Sequence, residues 1–224
     1  MVISISRCVK LGILLAGLSI GTISAMPAQN RFGFGAFMGS GELPASLTLH
    51  DAFTVSMKTS GLTFGVTGVY EVPLNESGLN LVVMPSIFNS TYSGKTWVTQ
   101  PWTSPGVGSG SLSYNLELTQ SLWGIRVPIL LSQEVGQWSF AAGPYLDYYT
   151  GIKVKYSTFS LGSVEFDVSA LSNSTSLGLI GHVGYDFGEF NVSAGVVLPF
   201  TDISKDTKLS TKPVLYQVGL VKML

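Results

Sequence analysis

Two kinds of residue in this sequence could do chemistry: a few charged and imidazole side chains scattered through apolar stretches, and two tryptophans in a glycine- and proline-rich segment. Of the two histidines, His50 is followed by Asp51 in a serine-rich stretch, and Ser, His and an acid are the residue types of a nucleophilic triad. Adjacent His-Asp pairs arise often in such segments without meaning, so no residue is assigned a catalytic role. Zinc-ligand spacing and a phosphate-binding glycine loop are missing from the sequence, so neither a metal nor a cofactor is expected. Asn75-Glu-Ser, Asn89-Ser-Thr, Asn173-Ser-Thr and Asn191-Val-Ser match the glycosylation pattern, but Ser and Thr are frequent enough here that such matches carry no weight.

What positions the charged residues is an alternation of period two. From Trp138 the even positions run Trp138, Phe140, Ala142, Pro144, Leu146, Tyr148, Thr150, Ile152, Val154, and the odd ones include Ser139, Asp147, Lys153 and Lys155. Leu177 to Phe187 and Phe190 to Phe200 repeat the pattern, as do Phe32 to Met38, Leu62 to Val72 and Val214 to Leu220. Leu79 to Phe88 is less regular. From Leu112 the apolar set is Leu112, Tyr114, Leu116, Leu118 and then slips to Trp123, Ile125, Val127, Ile129, which predicts a bulge near Gln120. Strands with one apolar and one polar face, about ten residues long, are the signature of a membrane β-barrel.

Composition agrees. Charged residues are 11%, against about 25% in ordinary soluble domains, and after residue 25 no apolar run is long enough to span a bilayer as a helix. Arg7 and Lys10 precede an apolar run, Leu11 to Ile23, that ends in small residues. Residues 1–25 read as a secretory signal peptide, with cleavage after Ala25 or alternatively after Ala28, and residues 26–224 as the barrel. Cys8 lies ahead of the apolar run and so is no lipoprotein cysteine. Without Arg7 and Lys10, 10 basic residues stand against 13 acidic ones, and that balance excludes nucleic acid as a partner.

Short links at Pro73 to Gly78, Gln133 to Gln137 and Gly188 to Glu189 alternate with long ones at Gly39 to Gly61, Ser93 to Gly110, Ser157 to Asn173 and Thr201 to Pro213. Three short turns and four long loops define an all-β, antiparallel, up-and-down transmembrane barrel of eight strands with both ends in the periplasm. A soluble exported barrel is the competing fold, but its outer face should be polar.

Eight strands leave a lumen that side chains can fill. The inward positions collect Arg31, Glu71, Glu117, Arg126, Asp147, Lys153, Lys155, His182 and Asp186, a set of mixed sign expected to neutralise itself, with Arg126 paired to Glu117 or Asp147. Trp97 and Trp102 fall in the long segment Ser93 to Gly110, where they offer an aromatic contact surface or pack at the membrane rim.

The stretch Ile125 to Leu131, the strand Ala142-Gly143-Pro144-Tyr145-Leu146, the run Gly184-Tyr185-Asp186-Phe187 and the closing Tyr216-Gln217-Val218-Gly219-Leu220 resemble the small outer-membrane β-barrel families, OmpA-like transmembrane domains and PorT-type barrels. The resemblance covers residues 112–224, with the first half agreeing in pattern alone. It implies a bacterial outer-membrane location, contact with outer-membrane lipid and lipopolysaccharide, and insertion by the barrel assembly machinery, which in that family reads a terminal aromatic residue where this chain has Leu224. The reading that follows is a non-enzymatic structural or surface-interaction barrel whose loops meet a host, phage or other surface protein. A narrow porin-like channel and a lipid A-modifying enzyme are the alternatives, the latter because related barrels carry such activity near their outer rim.

Overall fold

The computed structural model describes residues 30–49, 53–104, 108–158, 162–167, 174–203 and 212–224. The signal-peptide segment and the pair His50-Asp51 lie outside the described residues. Among the described residues ten strands follow in order: β1 (Arg31–Leu49), β2 (Phe53–Pro73), β3 (Leu79–Val83), β4 (Ser86–Ser104), β5 (Gly108–Val135), β6 (Trp138–Thr158), β7 (Gly162–Asp167), β8 (Thr175–Asp186), β9 (Phe190–Pro199) and β10 (Val214–Met223). Every pairing is antiparallel, and β10 pairs with β1, so the sheet closes on itself.

The ring has eight members. Strands β3 and β4 are one wall strand, because the register against β2 and against β5 is the same on both sides of Met84-Pro85. Pro85 has no N–H to give the ladder, which explains the irregular stretch in the sequence. Strands β7 and β8 both pair with β6, β8 along the wall and β7 beyond it. Starting at Ser121 of β5 and passing through Thr91, Leu62, Ser40, Tyr216, Val196, Gly181 and Ala142, the row of Cα partners returns to β5 at Leu131, ten residues along. That stagger goes with strands tilted by about 35–45°.

Alternation sorts the side chains. Phe34, Phe64, Ile87, Ile129, Phe140, Leu179, Val192 and Leu220 stand on the outside and are exposed, while Phe88, Tyr92, Leu122, Leu130, Tyr145, Tyr149, Ile180 and Val197 fill the inside. The three short turns fall where the sequence places them. Val135 pairs with Trp138 across Gly136-Gln137, and Gly136 has φ of 62°, a conformation open to glycine at little strain.

The long links differ from expectation. Strands β1 and β2 run to Leu49 and from Phe53, and β4 and β5 run to Ser104 and from Gly108, so two of the expected loops are tall β-hairpins, and β7 extends a third. These extensions have an apolar interior of their own, built from Met57, Val98, Leu116, Leu118 and Val154 with Tyr156 against them.

That second interior corrects the expected bulge near Gln120. On β5 the even positions point inward from Leu116 to Ser132 without interruption. The slip in the sequence marks a change of surroundings: Trp123, Ile125 and Ile129 are apolar because the outside is lipid, whereas Leu116 and Leu118 are apolar because the inside of the hairpin sheet is packed. The irregularity lies on β6 instead, where Trp123 pairs with Gly151 and Gly124 with Tyr149, leaving Thr150 as the extra residue. Beyond it Ile152 and Val154 turn inward and Lys153 and Lys155 turn out.

Ile152→Ala should therefore lower unfolding free energy in detergent or vesicles by about 2–4 kcal/mol through the cavity it leaves, and Lys153→Ala should change it by less than about 0.5 kcal/mol. Equal urea midpoints for the two variants would contradict the inversion at Thr150.

Candidate functional site

The centre of the lumen is occupied by an ion pair. Arg126 of β5 and Asp147 of β6 are register partners on inward positions, and their side chains are 4% and 1% exposed. Arg126 donates twice, from Nε to Asp147 Oδ1 at 2.7 Å and from Nη2 to Oδ2 at 2.8 Å, the fork geometry that suits guanidinium to carboxylate. Tyr149 OH also donates to Asp147 Oδ2, at 3.4 Å. The guanidinium carbon lies 5.0 Å from the Phe88 ring centroid and 4.8 Å from that of Tyr145, within cation–π range on both. Tyr92, Leu122 and Ile152, all buried, belong to the same interior cluster. Side chains of this size fill an eight-stranded interior at this level.

Towards the short turns the interior opens into a vestibule of about 110 Å³, whose lining includes Arg31, Glu71, Glu134, His182 and Asp186. Arg31 bridges Glu71 at 2.8 Å and Glu134, and Asn80 Nδ2 donates to Glu71 Oε1 at 2.6 Å. Gln217 Nε2 donates to His182 Nε2 at 2.8 Å, which leaves the ring proton on Nδ1. Between this bond and Arg126 is a void of about 20 Å³, room for about one water molecule. Asp186 Oδ1 accepts from the backbone N–H of Gly188 at 2.7 Å, so that carboxylate holds its own turn.

Three expected lumen residues are on the other side of the wall. Glu117 points outward on β5 and pairs with Lys95 of β4 at 3.2 Å. Lys153 points outward beyond the Thr150 irregularity and bonds Glu165 of β7 at 3.1 Å. Lys155, its neighbour on that face, is exposed. Trp97 lies in β4, 73% exposed, beside the Lys95–Glu117 pair; Trp102 lies in the same strand, opposite Gly110. Glu134, Gln217 and the aromatic clamp on Arg126 were missed by sequence reasoning. Tyr145 and Tyr149 share a face with Asp147 and could have been found at two-residue spacing; Phe88 was hidden by the break at Pro85.

A model of the outer membrane protein beta-barrel domain matches residues 14–205. None of the curated proteins matches the chain. Among solved structures, Neisserial surface protein A is 12% identical with a TM-score of 0.46, over 87% of this chain and 99% of that one. Ail, the attachment invasion locus protein of Yersinia pestis, is 11% identical with a TM-score of 0.38, over 89% and 100%. An outer membrane channel from Pseudomonas putida F1 is 7% identical with a TM-score of 0.33, over 91% and 98%.

Removing one partner of a buried pair strands the other charge, so Asp147→Ala should destabilise the barrel by about 3–5 kcal/mol, and the double replacement Arg126→Met with Asp147→Leu should restore most of that loss. Lys95→Ala, at the exposed pair, should change stability by about 1 kcal/mol at most. Urea unfolding followed by tryptophan fluorescence measures all three, and a double variant no better than Asp147→Ala would show that the pair contributes more than mutual neutralisation.

Proposed function

The chain belongs to the outer membrane protein β-barrel domain family and is an integral protein of the bacterial outer membrane, and from that premise we propose that it is a non-enzymatic surface-interaction barrel. The observation that carries the reading is the contrast between its two ends. The interior is stopped by Arg126, Asp147 and the rings about them, while β1 and β2, and β4, β5, β6 and β7, continue past the wall as hairpin extensions with an apolar interior of their own. A filled lumen leaves conduction no route, and packed hairpins held clear of the membrane offer a platform for contact.

On the outer face of that sheet Trp97 is flanked by the Lys95–Glu117 ion pair and by a Thr99–Ser113 hydrogen bond of 2.9 Å. An exposed tryptophan inside a polar surround is the arrangement that concentrates binding energy at protein contacts. The proposed partners are a host, phage or other surface protein at the hairpins, lipid and lipopolysaccharide around the wall, and the assembly machinery during insertion. The channel reading draws on the vestibule of about 110 Å³, which would need a route past Arg126 to conduct.

Two measurements test the proposal. Purified, heat-modifiable protein in planar bilayers should show no steady single-channel conductance; reproducible steps would favour the channel. A membrane-impermeant maleimide should label Trp97→Cys on intact cells and Gly136→Cys only after the outer membrane is opened, against the background of the unaltered chain, whose one cysteine is Cys8. Labelling in the reverse order would turn the hairpin sheet towards the periplasm and end the surface reading.

A further inference from the structure

Trp97 stands in a ladder of polar pairs. On the outward face of β4 and β5 its cross-strand partner is Asn115, and the next outward pairs on either side are Thr99 with Ser113 and Lys95 with Glu117. Both flanking pairs are closed, Thr99 Oγ1 to Ser113 Oγ at 2.9 Å and Lys95 Nζ to Glu117 Oε2 at 3.2 Å. The Asn115 amide is not: its Oδ1 is shielded from solvent and accepts no hydrogen bond from the described residues, a costly state for a polar atom. An indole that is 73% exposed thus lies beside an amide with hydrogen-bonding capacity to spare.

We infer that Trp97 and Asn115 bind one ring of an uncharged glycan, with the C–H face of the sugar stacked on the indole and a sugar hydroxyl donating to Asn115 Oδ1. The terminal torsion of an asparagine is broad, so a small turn brings Oδ1 to the ligand. The charge of the face selects against polyanions. Beyond Trp123 the described outward positions of β4 to β7 carry three ammonium groups, Lys95, Lys153 and Lys155, and three carboxylates, Glu117, Glu165 and Asp167, so a ligand rich in sulfate or phosphate meets no surplus of cations. The apolar area selects against a protein docked on this face. Trp97 is the one large apolar side chain among those described positions, whereas a protein interface of standard size covers about 800 Å² on each partner around an apolar core. A pyranose has an apolar face and a rim of hydroxyls, which one indole beside a free amide acceptor matches. The inference rests on the surface-interaction reading and names what Trp97 meets: the sugars that a surface partner carries.

The test offers the folded protein, in a detergent without a sugar headgroup, to an array of immobilised uncharged oligosaccharides ending in glucose, galactose, mannose or N-acetylglucosamine, with heparin as the polyanion. Uncharged sugars should retain the protein and heparin should not. Trp97→Ala should weaken retention about tenfold or more, and Trp97→Phe, which keeps a smaller ring, should weaken it less. Asn115→Ala should weaken it by about two- to tenfold, the contribution of one hydrogen bond. Lys155→Ala, on the same face, should leave it unchanged. Heat-modifiable migration verifies folding, and if Trp97→Ala does not fold, Trp97→Phe and Asn115→Ala decide. Retention by heparin alone, retention indifferent to Trp97 and Asn115, or no retention by any uncharged sugar would overturn the assignment. A dimer in sedimentation that Trp97→Ala dissociates would also overturn it, in favour of a second copy of this chain. Because labelling of Trp97→Cys on intact cells requires no sugar, its success beside a failure here leaves the surface-interaction reading standing.

Discussion

A polypeptide in a bilayer must satisfy every backbone N–H and C=O from within, because hydrocarbon supplies no partner for them. In this chain that requirement is met by the pairing of β10 with β1, and most other features follow from it. Closure removes the free edges, so the wall tolerates an outer surface of Phe34, Phe64, Phe140 and Leu179 that would promote aggregation in an open sheet. It also explains how Met84-Pro85 can interrupt a wall strand. The break deletes one donor, Pro85 O still accepts from Gly68 N at 2.9 Å, and Met84 N still donates to Pro128 O at 3.2 Å.

Closure with eight strands determines the interior as well. A ring this narrow has its lumen within reach of side chains from all around, and the residues supplied are large: Phe88, Tyr92, Tyr145, Tyr149 and Leu122. An arginine among them needs both a counter-charge and a surface that tolerates its flat faces. Asp147 supplies the first through two hydrogen bonds, and the rings of Phe88 and Tyr145 supply the second. The attraction between the two charges is set against the desolvation of both, so the pair is better understood as a device that selects one packing of the plug than as a large source of stability. Its position two residues from Tyr145 and Tyr149 on the same strand lets one inward face carry carboxylate and rings together.

Much of the wall was legible in the sequence because lipid outside and a filled lumen inside impose a period of two. Strands β8 and β9, with Leu177, Leu179 and Val183 or Phe190, Val192 and Leu198 outward, show that period on the face that meets lipid, although Ile180 and Val197 make the inner face apolar too. Legibility fails above the membrane, where the sign of the pattern inverts. There the outside is water and the inside is packed, so apolar residues mark the inner face. On β5 the backbone continues without a bulge and the apolar set changes parity, from Leu116 and Leu118 to Trp123 and Ile125. On β6 the bulge at Thr150 and the change of surroundings cancel, so the sequence runs on from Leu146 to Ile152 and Val154 as if nothing had happened. A reader who equates apolar with outward therefore finds a bulge on the strand that lacks one and misses it on the strand that has it. The misassignment of Glu117, Lys153 and Lys155 to the lumen has this single cause. Glu134 was missed for another reason, since it sits at the last residues of β5 where the vestibule admits side chains from near the turn.

The same inversion locates the membrane surface on the molecule without reference to any lipid. Trp123, exposed and opposite the bulge, is the last large apolar residue on the outside of β5, and the next outward positions up the strand are Ser121, Thr119 and Glu117. On β6 the bulge separates Tyr148 from Lys153. Both strands therefore change solvent at one height, although the tilt places that height at different residue numbers. Above it, Lys95 with Glu117 and Lys153 with Glu165 tie neighbouring strands together across the outer face, while Leu116, Leu118 and Val154 hold the inner face. Surface pairs of this kind add little stability individually. With the packing of the inner face they join the hairpin extensions to the wall strands that carry them.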